Sequence, residues 1–287
     1  MSQLALPRRR MPGLPRFGAV GAVTVTASVV CGLFALVAIF APLLAPHDPY
    51  ALDALNAFAS PSASHLLGTD DTGRDLLSRL IYGARPSLAG PALVIVLAST
   101  AGTVLAMLAA WFGGWIDAIV SRIAESLYAV PGLVLGVVAA AVFGSGFFAP
   151  VIALSIAYLP VILRVMRTAA LRERNLPYID ALRMQGMGGM RICLRHLLPN
   201  ILPLLLAQSA VGFGYAMIDL ATISFLGLGI QPPAADWGVM VAAGKASILN
   251  GQPEQSLYAA LVVMVAIVAF NLVGERIAQR LEERDSR

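Results

Sequence analysis

Long apolar stretches, separated by short polar ones, run along most of the chain. A hydrocarbon core about 30 Å thick needs roughly 20 apolar residues per helical crossing. Six stretches reach or approach that length: 19–44, 87–112, 118–143, 149–168, 200–228 and 257–274. The pattern predicts an all-α membrane protein with six transmembrane helices. The third stretch is interrupted by Pro131-Gly132 and carries Arg122 and Glu125 in its first half, which is therefore expected in the cytoplasmic interface. The first follows Arg8-Arg9-Arg10, as the core of a secretory signal does, but at about 26 residues it exceeds the roughly 7 to 15 of such a core. It reads as an uncleaved first span.

Composition agrees. The 287 residues are 58% hydrophobic and 13% charged, with mean hydropathy +0.79, which excludes a soluble globular domain. Cations collect on the cytoplasmic side of membrane proteins. With six spans and an inside N-terminus, the segments 46–85, 144–148 and 229–256 lie outside and hold only Arg74, Arg79, Arg85 and Lys245. Both termini are thus expected in the cytoplasm, and the net charge of +4 is explained without a nucleic-acid partner. Cys31 and Cys193 fall on different sides of a predicted membrane boundary, so no structural pair is expected. His47, His65 and His196 have no HxxxH spacing and no CxxC occurs, so no metal site is expected. The expected segmentation is a basic tail 1–18, a first span 19–44, an extracytoplasmic amphipathic segment 45–85, a five-helix transmembrane domain 86–275 and a tail 276–287.

Between the fourth and fifth apolar stretches lies a positively charged segment, YIDALRMQGMGGMRICLRHLLPN, Tyr178 to Asn200. Asn175 suits the cap of a short helix starting at Pro177. Tyr178, Ile179, Ala181 and Leu182 form its apolar side, Asp180, Arg183 and Gln185 its polar edges, and Gly186 its stop. Gly188-Gly189 loosen the chain before a second helix, Met190 to Leu198, with Arg191 and Arg195 one turn apart and Pro199 as its close. Read by charge alone, the arginines only enforce topology; read by spacing, the segment presents a face to a partner.

The spacing resembles the EAA loop of binding-protein-dependent ABC importer permeases. Asp180 stands for the Glu, Ala181 matches the first Ala, Leu182 replaces the second, Gly186 follows four residues later, and Leu198-Pro199 end the motif after His196-Leu197. The block LGTDDTGRDLLSRLIYGARPSL, Leu67 to Leu88, is similar to the one after the first span in the dipeptide, oligopeptide and nickel branch of that family. Physically it reads as an outer amphipathic helix: Thr69, Asp70 and Asp71 suit its start, Leu76, Leu77, Leu80 and Ile81 share a side, and Asp75 pairs with Arg79. It either links spans or covers the outer mouth of a pathway. A third match, SFLGLGIQPPAADWG from Ser224 to Gly238, ends the fifth span, with Trp237 as an interfacial anchor.

The resemblance implies the type I importer permease fold and a cytoplasmic coupling helix that docks on an ATPase. The docking residues are then Tyr178, Asp180, Ala181, Leu182, Gly186, Arg191, Arg195, His196, Leu198 and Pro199. It further implies a homologous permease subunit, two ABC ATPase domains, an extracytoplasmic substrate-binding protein and membrane lipid as partners. The solute would be a dipeptide or oligopeptide, with nickel, glutathione or another small solute as alternatives. The chain departs from the pattern at Gly188-Gly189, where the family has a capping Ser-Asp pair, and at Leu220, where an acid is usual; Asp219 is the acid here. An ionisable group inside a span is costly unless it faces protein or water. Asp219 therefore either lines a pathway or gate with Ser224 and Phe225, or is hydrogen-bonded to a neighbouring span or a partner. Gly132 and Gly136 make a GxxxG step suited to close helix packing.

No catalytic motif occurs: GxSxG, HExxH and a P-loop are absent, and the nearest P-loop string, Gly238 to Ala246, has one residue too many before Gly244-Lys245. ATP and Mg are expected on partner subunits, and no cofactor on this chain. An ion-coupled transporter would place several charges within its spans and often show inverted repeats; only Asp219 stands out.

Overall fold

The computed structural model describes residues 17–285, so most of the basic tail, Arg8 to Arg10 included, lies outside the described residues. Its long helices are α1 (Phe17–Leu44), α2 (Leu76–Phe112), α5 (Phe148–Arg174), α8 (Leu198–Phe225) and α11 (Glu254–Asp285). The helices α3 (Gly114–Tyr128) and α4 (Gly132–Phe143) form a pair bent by 80° at Pro131. Counting that pair as one broken span gives up to six crossings. Between the spans lie the short helices α6 (Pro177–Met184), α7 (Gly189–Ile192), α9 (Trp237–Ala243) and α10 (Lys245–Leu249).

The bundle is built on close approach of small residues, because lipid tails provide no hydrophobic drive for one apolar helix to leave them for another. Along α2, Ala98, Ala106 and Ala110 are buried against α5 and α8 in a cluster with Ile162, Leu163, Met166 and Ile201. The GxxxG step is of this kind: a Cβ on Gly132 would meet Ala157 at 3.3 Å, and one on Gly136 would meet Ile223 at 2.5 Å. α1 stands at the periphery. Ala27 and Ala41 are its buried points, while Val25, Val29 and Ile39 are more than 60% exposed, as expected of a lipid-facing surface.

The spans differ from their expected outlines in two places. The outer amphipathic helix and the second span are one continuous helix, α2, 37 residues long and so about 55 Å at 1.5 Å per residue. It tolerates Pro86 and Pro91 because the bundle satisfies the backbone groups they release. Its first turns are not a half-wet surface helix. Leu76, Ser78, Arg79 and Leu80 are all buried, since the outer loop and α9 wrap them.

Pro199, expected to close a helix, instead lies inside one. α7 passes through a single π-helical turn, Cys193–Leu197, directly into α8. The Leu198 N–H donates to the Cys193 carbonyl five residues back, and a π turn shifts the hydrogen-bond register just where the proline has no N–H to give.

Candidate functional site

The inner end carries the charged loop. Leu176, not Asn175, occupies the N-cap position of α6 and makes no side-chain bond there; Asn175 terminates α5, its N–H reaching the Arg172 and Glu173 carbonyls. Pro177 at the first turn supplies the helical φ instead. Gly186 ends the helix with φ +78°, a left-handed turn that costs a side-chain-bearing residue roughly 1–2 kcal/mol. The Gly186 N–H reaches the Arg183 carbonyl at 2.9 Å, and Met187 N–H the Leu182 carbonyl at 3.1 Å.

The apolar side of α6 does not face outward for a partner. Ile179 is fully buried, and Tyr178, Ala181 and Leu182 are half-buried against the bundle. The surface left free is Asp180, Arg183, Met184, Gln185 and Gly186, continued by Met190, Arg191, Leu194 and Arg195. Met184, Met190 and Leu194 are 84%, 70% and 57% exposed; sequence reasoning missed them. Their signal was two methionines flanking the Gly turn, flexible apolar side chains of the sort that suit an adaptable contact. His196 and Leu198 are half-buried, Pro199 exposed.

Two devices fix this protrusion. At its base the Glu173 carboxylate of α5 accepts from the Tyr178 hydroxyl and the Asn200 amide, both at 2.6 Å, and Asn200 also donates to the Tyr178 oxygen at 3.1 Å. Loss of solvent, and then the Glu173 carboxylate beside it, push the Tyr178 hydroxyl up to about 12. Above it, the Arg183 guanidinium stacks 4.8 Å from the Trp111 ring centroid at the end of α2, and Arg174 approaches the same ring at 5.9 Å. Gly189 is not a loosening residue. A Cβ there would lie 2.7 Å from the Trp111 ring, so glycine lets the loop seat beneath the indole.

In mid-bundle, Asp219 on α8 accepts a hydrogen bond from the Tyr158 hydroxyl of α5 at 2.9 Å, which supplies the partner that an acid within a span requires. Ser224 is buried and Phe225 40% exposed.

The outer end is a clasp of buried polar groups. The start of α2 is capped by Asp75, which accepts from the Ser78 N–H at 2.8 Å and hydroxyl at 2.7 Å. It does not pair with Arg79. That arginine, 1% exposed, lies 3.6 Å from Asp70 and donates to the carbonyls of Pro49 and Pro233. Asp70 starts no helix either; it closes a turn by accepting from Thr72 and from the Arg74 N–H and Nε. Burial raises the Asp70 pKa most strongly of any single cause, yet these bonds and the Arg74 charge together hold it below the usual carboxylate range.

Trp237 is no interfacial anchor. It is 1% exposed, donates its indole N–H to the Leu80 carbonyl at 2.9 Å, and packs edge-on to Phe34 at 5.6 Å. Asp236 caps α9 through the Val239 N–H and accepts from Ser87 at 2.8 Å; burial raises its pKa against the pull of those bonds. The fold also gathers His47, His65 and Asp75, whose ligand-type atoms lie within 4.8 Å of one another. They are 18 and 10 residues apart in sequence and come together only through the fold.

Comparison with known proteins places this geometry in a family. Residues 102–286 match the family described as the binding-protein-dependent transport system inner membrane component. A probable D,D-dipeptide transport system permease of Escherichia coli strain K12 is 36% identical over 261 residues, 91% of this chain and 87% of the relative. A dipeptide transport system permease of Alkalihalophilus pseudofirmus is 34% identical, covering 89% of this chain and 84% of its own. A glutathione transport system permease of Pectobacterium atrosepticum is likewise 34% identical, covering 90% and 87%. In fold, the chain resembles a solved chain of the inward-facing MetNI methionine ABC transporter, with TM-score 0.57 and 19% identity over 71% of this chain and 97% of that one.

Proposed function

The chain belongs to the family of binding-protein-dependent transport system inner membrane components, and on that premise we propose that it is the permease subunit of an ATP-driven importer of short peptides, with α6 and its Gly186 turn as the coupling helix. The observation that carries the reading is the form of the inner loop. A short helix anchored by buried Ile179 presents Asp180 and Met184 outward, with Met190 of α7 exposed beside them past the Gly186 turn.

ATP binds elsewhere. The string nearest to a P-loop folds into α9 and α10 on the outer side, so the energy enters through partner ATPases. Their closure on ATP displaces α6. The Glu173, Tyr178 and Asn200 bonds tie that helix to the ends of α5 and α8, so both spans move with it, and the Tyr158 to Asp219 bond joins them again at mid-bundle. The pathway then switches between inward-open and outward-open as a loaded binding protein docks on the outer surface. A homologous permease completes the pathway, and this chain performs no covalent chemistry.

The dipeptide relatives support peptides as the solute; the glutathione permease supports a second reading in which the solute is that peptide thiol. Gly186→Phe tests the coupling role, because nothing lies within 4 Å of a Cβ there and the backbone cost is only roughly 1–2 kcal/mol. Uptake is expected to fall at least tenfold with the protein still folded in the membrane. Unchanged uptake together with unchanged ATPase co-purification would sink the assignment. Uptake that survives ATP depletion and collapses with the proton gradient would favour ion-coupled transport instead.

A further inference from the structure

The outer clasp contains a buried carboxylate whose charge the clasp's arginines do not answer. Arg74 and Arg79 both turn to Asp70, and Arg74 also to Asp71. Asp75, with its side chain 2% exposed, has only His47 and His65 as ion-pair partners among the described residues. Two imidazoles point the same ring atom at this one carboxylate: His65 Nδ1 is 3.0 Å from Oδ1 and His47 Nδ1 is 3.8 Å from Oδ2. The first distance is a hydrogen bond. The second exceeds hydrogen-bond range, leaving the His47 ring aimed at the carboxylate without being bonded to it. The rings lie 4.9 Å apart, tilted by 35°.

We propose that His47, His65 and Asp75 bind one divalent transition-metal ion of the zinc class at the outer surface, joining the end of α1, the outer loop and the start of α2. Ligands around a tetrahedral zinc at roughly 2.0–2.1 Å are about 3.3 Å apart. His65 and Asp75 stand close to that spacing, and the 42% exposed His47 side chain is free to close the remaining gap. The set of two imidazoles and a carboxylate, with a position left for water, suits zinc or nickel and not magnesium. Supporting groups that orient ligands are part of a built metal site. Here Ser78 holds Asp75 through its N–H and hydroxyl, and the same hydroxyl oxygen accepts from the His47 backbone N–H at 3.0 Å. The ion would be a structural clip beside the surface expected to receive the binding protein.

The test is equilibrium dialysis of the full-length chain, purified in nanodiscs with a tag free of histidine, against Zn2+, Ni2+ and Mg2+ separately. One equivalent of Zn2+ or Ni2+ per chain is expected, with no Mg2+. His47→Ala, at a half-exposed ring, and His65→Gln, which keeps a donor for Asp75, should each weaken Zn2+ at least tenfold. Co2+ should give the intense visible bands of a four-coordinate ion in the wild type only. Equal Zn2+ uptake by wild type and both variants, equal uptake of Mg2+, or no stoichiometric binding overturns the proposal.

Discussion

The two ends of this bundle are held together in opposite ways. At the outer end, side chains bond to groups far away in sequence: Trp237 to the Leu80 carbonyl, Arg79 to the Pro233 carbonyl, Ser87 to the Asp236 carboxylate. Trp237, Leu80, Arg79 and Asp236 are buried, where a missing partner costs about 1–3 kcal/mol. At the inner end, α6 rests on one buried residue, Ile179, one stacked arginine and one hydrogen-bonded triangle at its rim. The lesson is mechanical. A surface that receives a force must move relative to something, and on the proposed coupling role the many-bonded outer clasp would be the fixed part and the lightly seated loop the moving part. Elements that move in a transition are drawn from the less stable parts of a fold.

Removing the central side chain of the clasp should have the largest effect. Trp237→Ala deletes a buried indole and its bond to Leu80, and is expected to lower unfolding stability by about 3–5 kcal/mol, read as earlier thermal aggregation in detergent. An unchanged transition would erase the contrast between the two ends.

A smaller effect is expected at the loop. Gly189→Val drives a side chain into the Trp111 ring, a misfit of about 1–3 kcal/mol. It should unseat α6 and reduce ATPase co-purification while leaving the outer clasp intact. Trp111→Ala combined with Gly189→Val should restore part of that association, since it removes the obstructing ring; no restoration would show that the glycine serves another purpose.

The smallest effect concerns the rim. Glu173→Gln weakens the bonds from Tyr178 and Asn200 by about 1 kcal/mol. The Tyr178 hydroxyl in the folded protein titrates at about 12, above its ordinary value near 10. A folded value raised in this way means that the bond's stabilisation is fully present below about pH 10 and is lost as pH rises towards 12. Difference absorbance of tyrosinate between the protein and its Tyr178→Phe variant measures this. In Glu173→Gln the midpoint should fall towards 10, and an unmoved midpoint would remove Glu173 as a cause.

Legibility differed between the two ends for a physical reason. The inner loop was readable because its determinants are local: Pro177 to start a helix and Gly186 to stop it lie within ten residues, and motif spacing records them directly. The direction of α6 was not readable, since an apolar stripe of Tyr178, Ile179, Ala181 and Leu182 specifies a buried face without saying what covers it. The outer clasp was misread for the converse reason. Asp75 with Arg79 and Asp70 with a helix start are good local guesses. They lost to Ser78, His65 and Arg74, which the turn at 70–75 brings closer.

By itself the sequence determined the membrane class, the spans, the broken third helix and the helix-and-glycine-turn form of the inner loop, because runs of about 20 apolar residues, a Pro-Gly break and short motif spacings act within one segment of chain. The tertiary structure alone decided that α2 runs unbroken from the outer loop to the inner end, that Trp237 is buried, that Gly189 seats beneath Trp111, and that His47, His65 and Asp75 meet. Each of these depends on which surface covers another, and contacts between segments far apart in the chain leave no periodic trace along it.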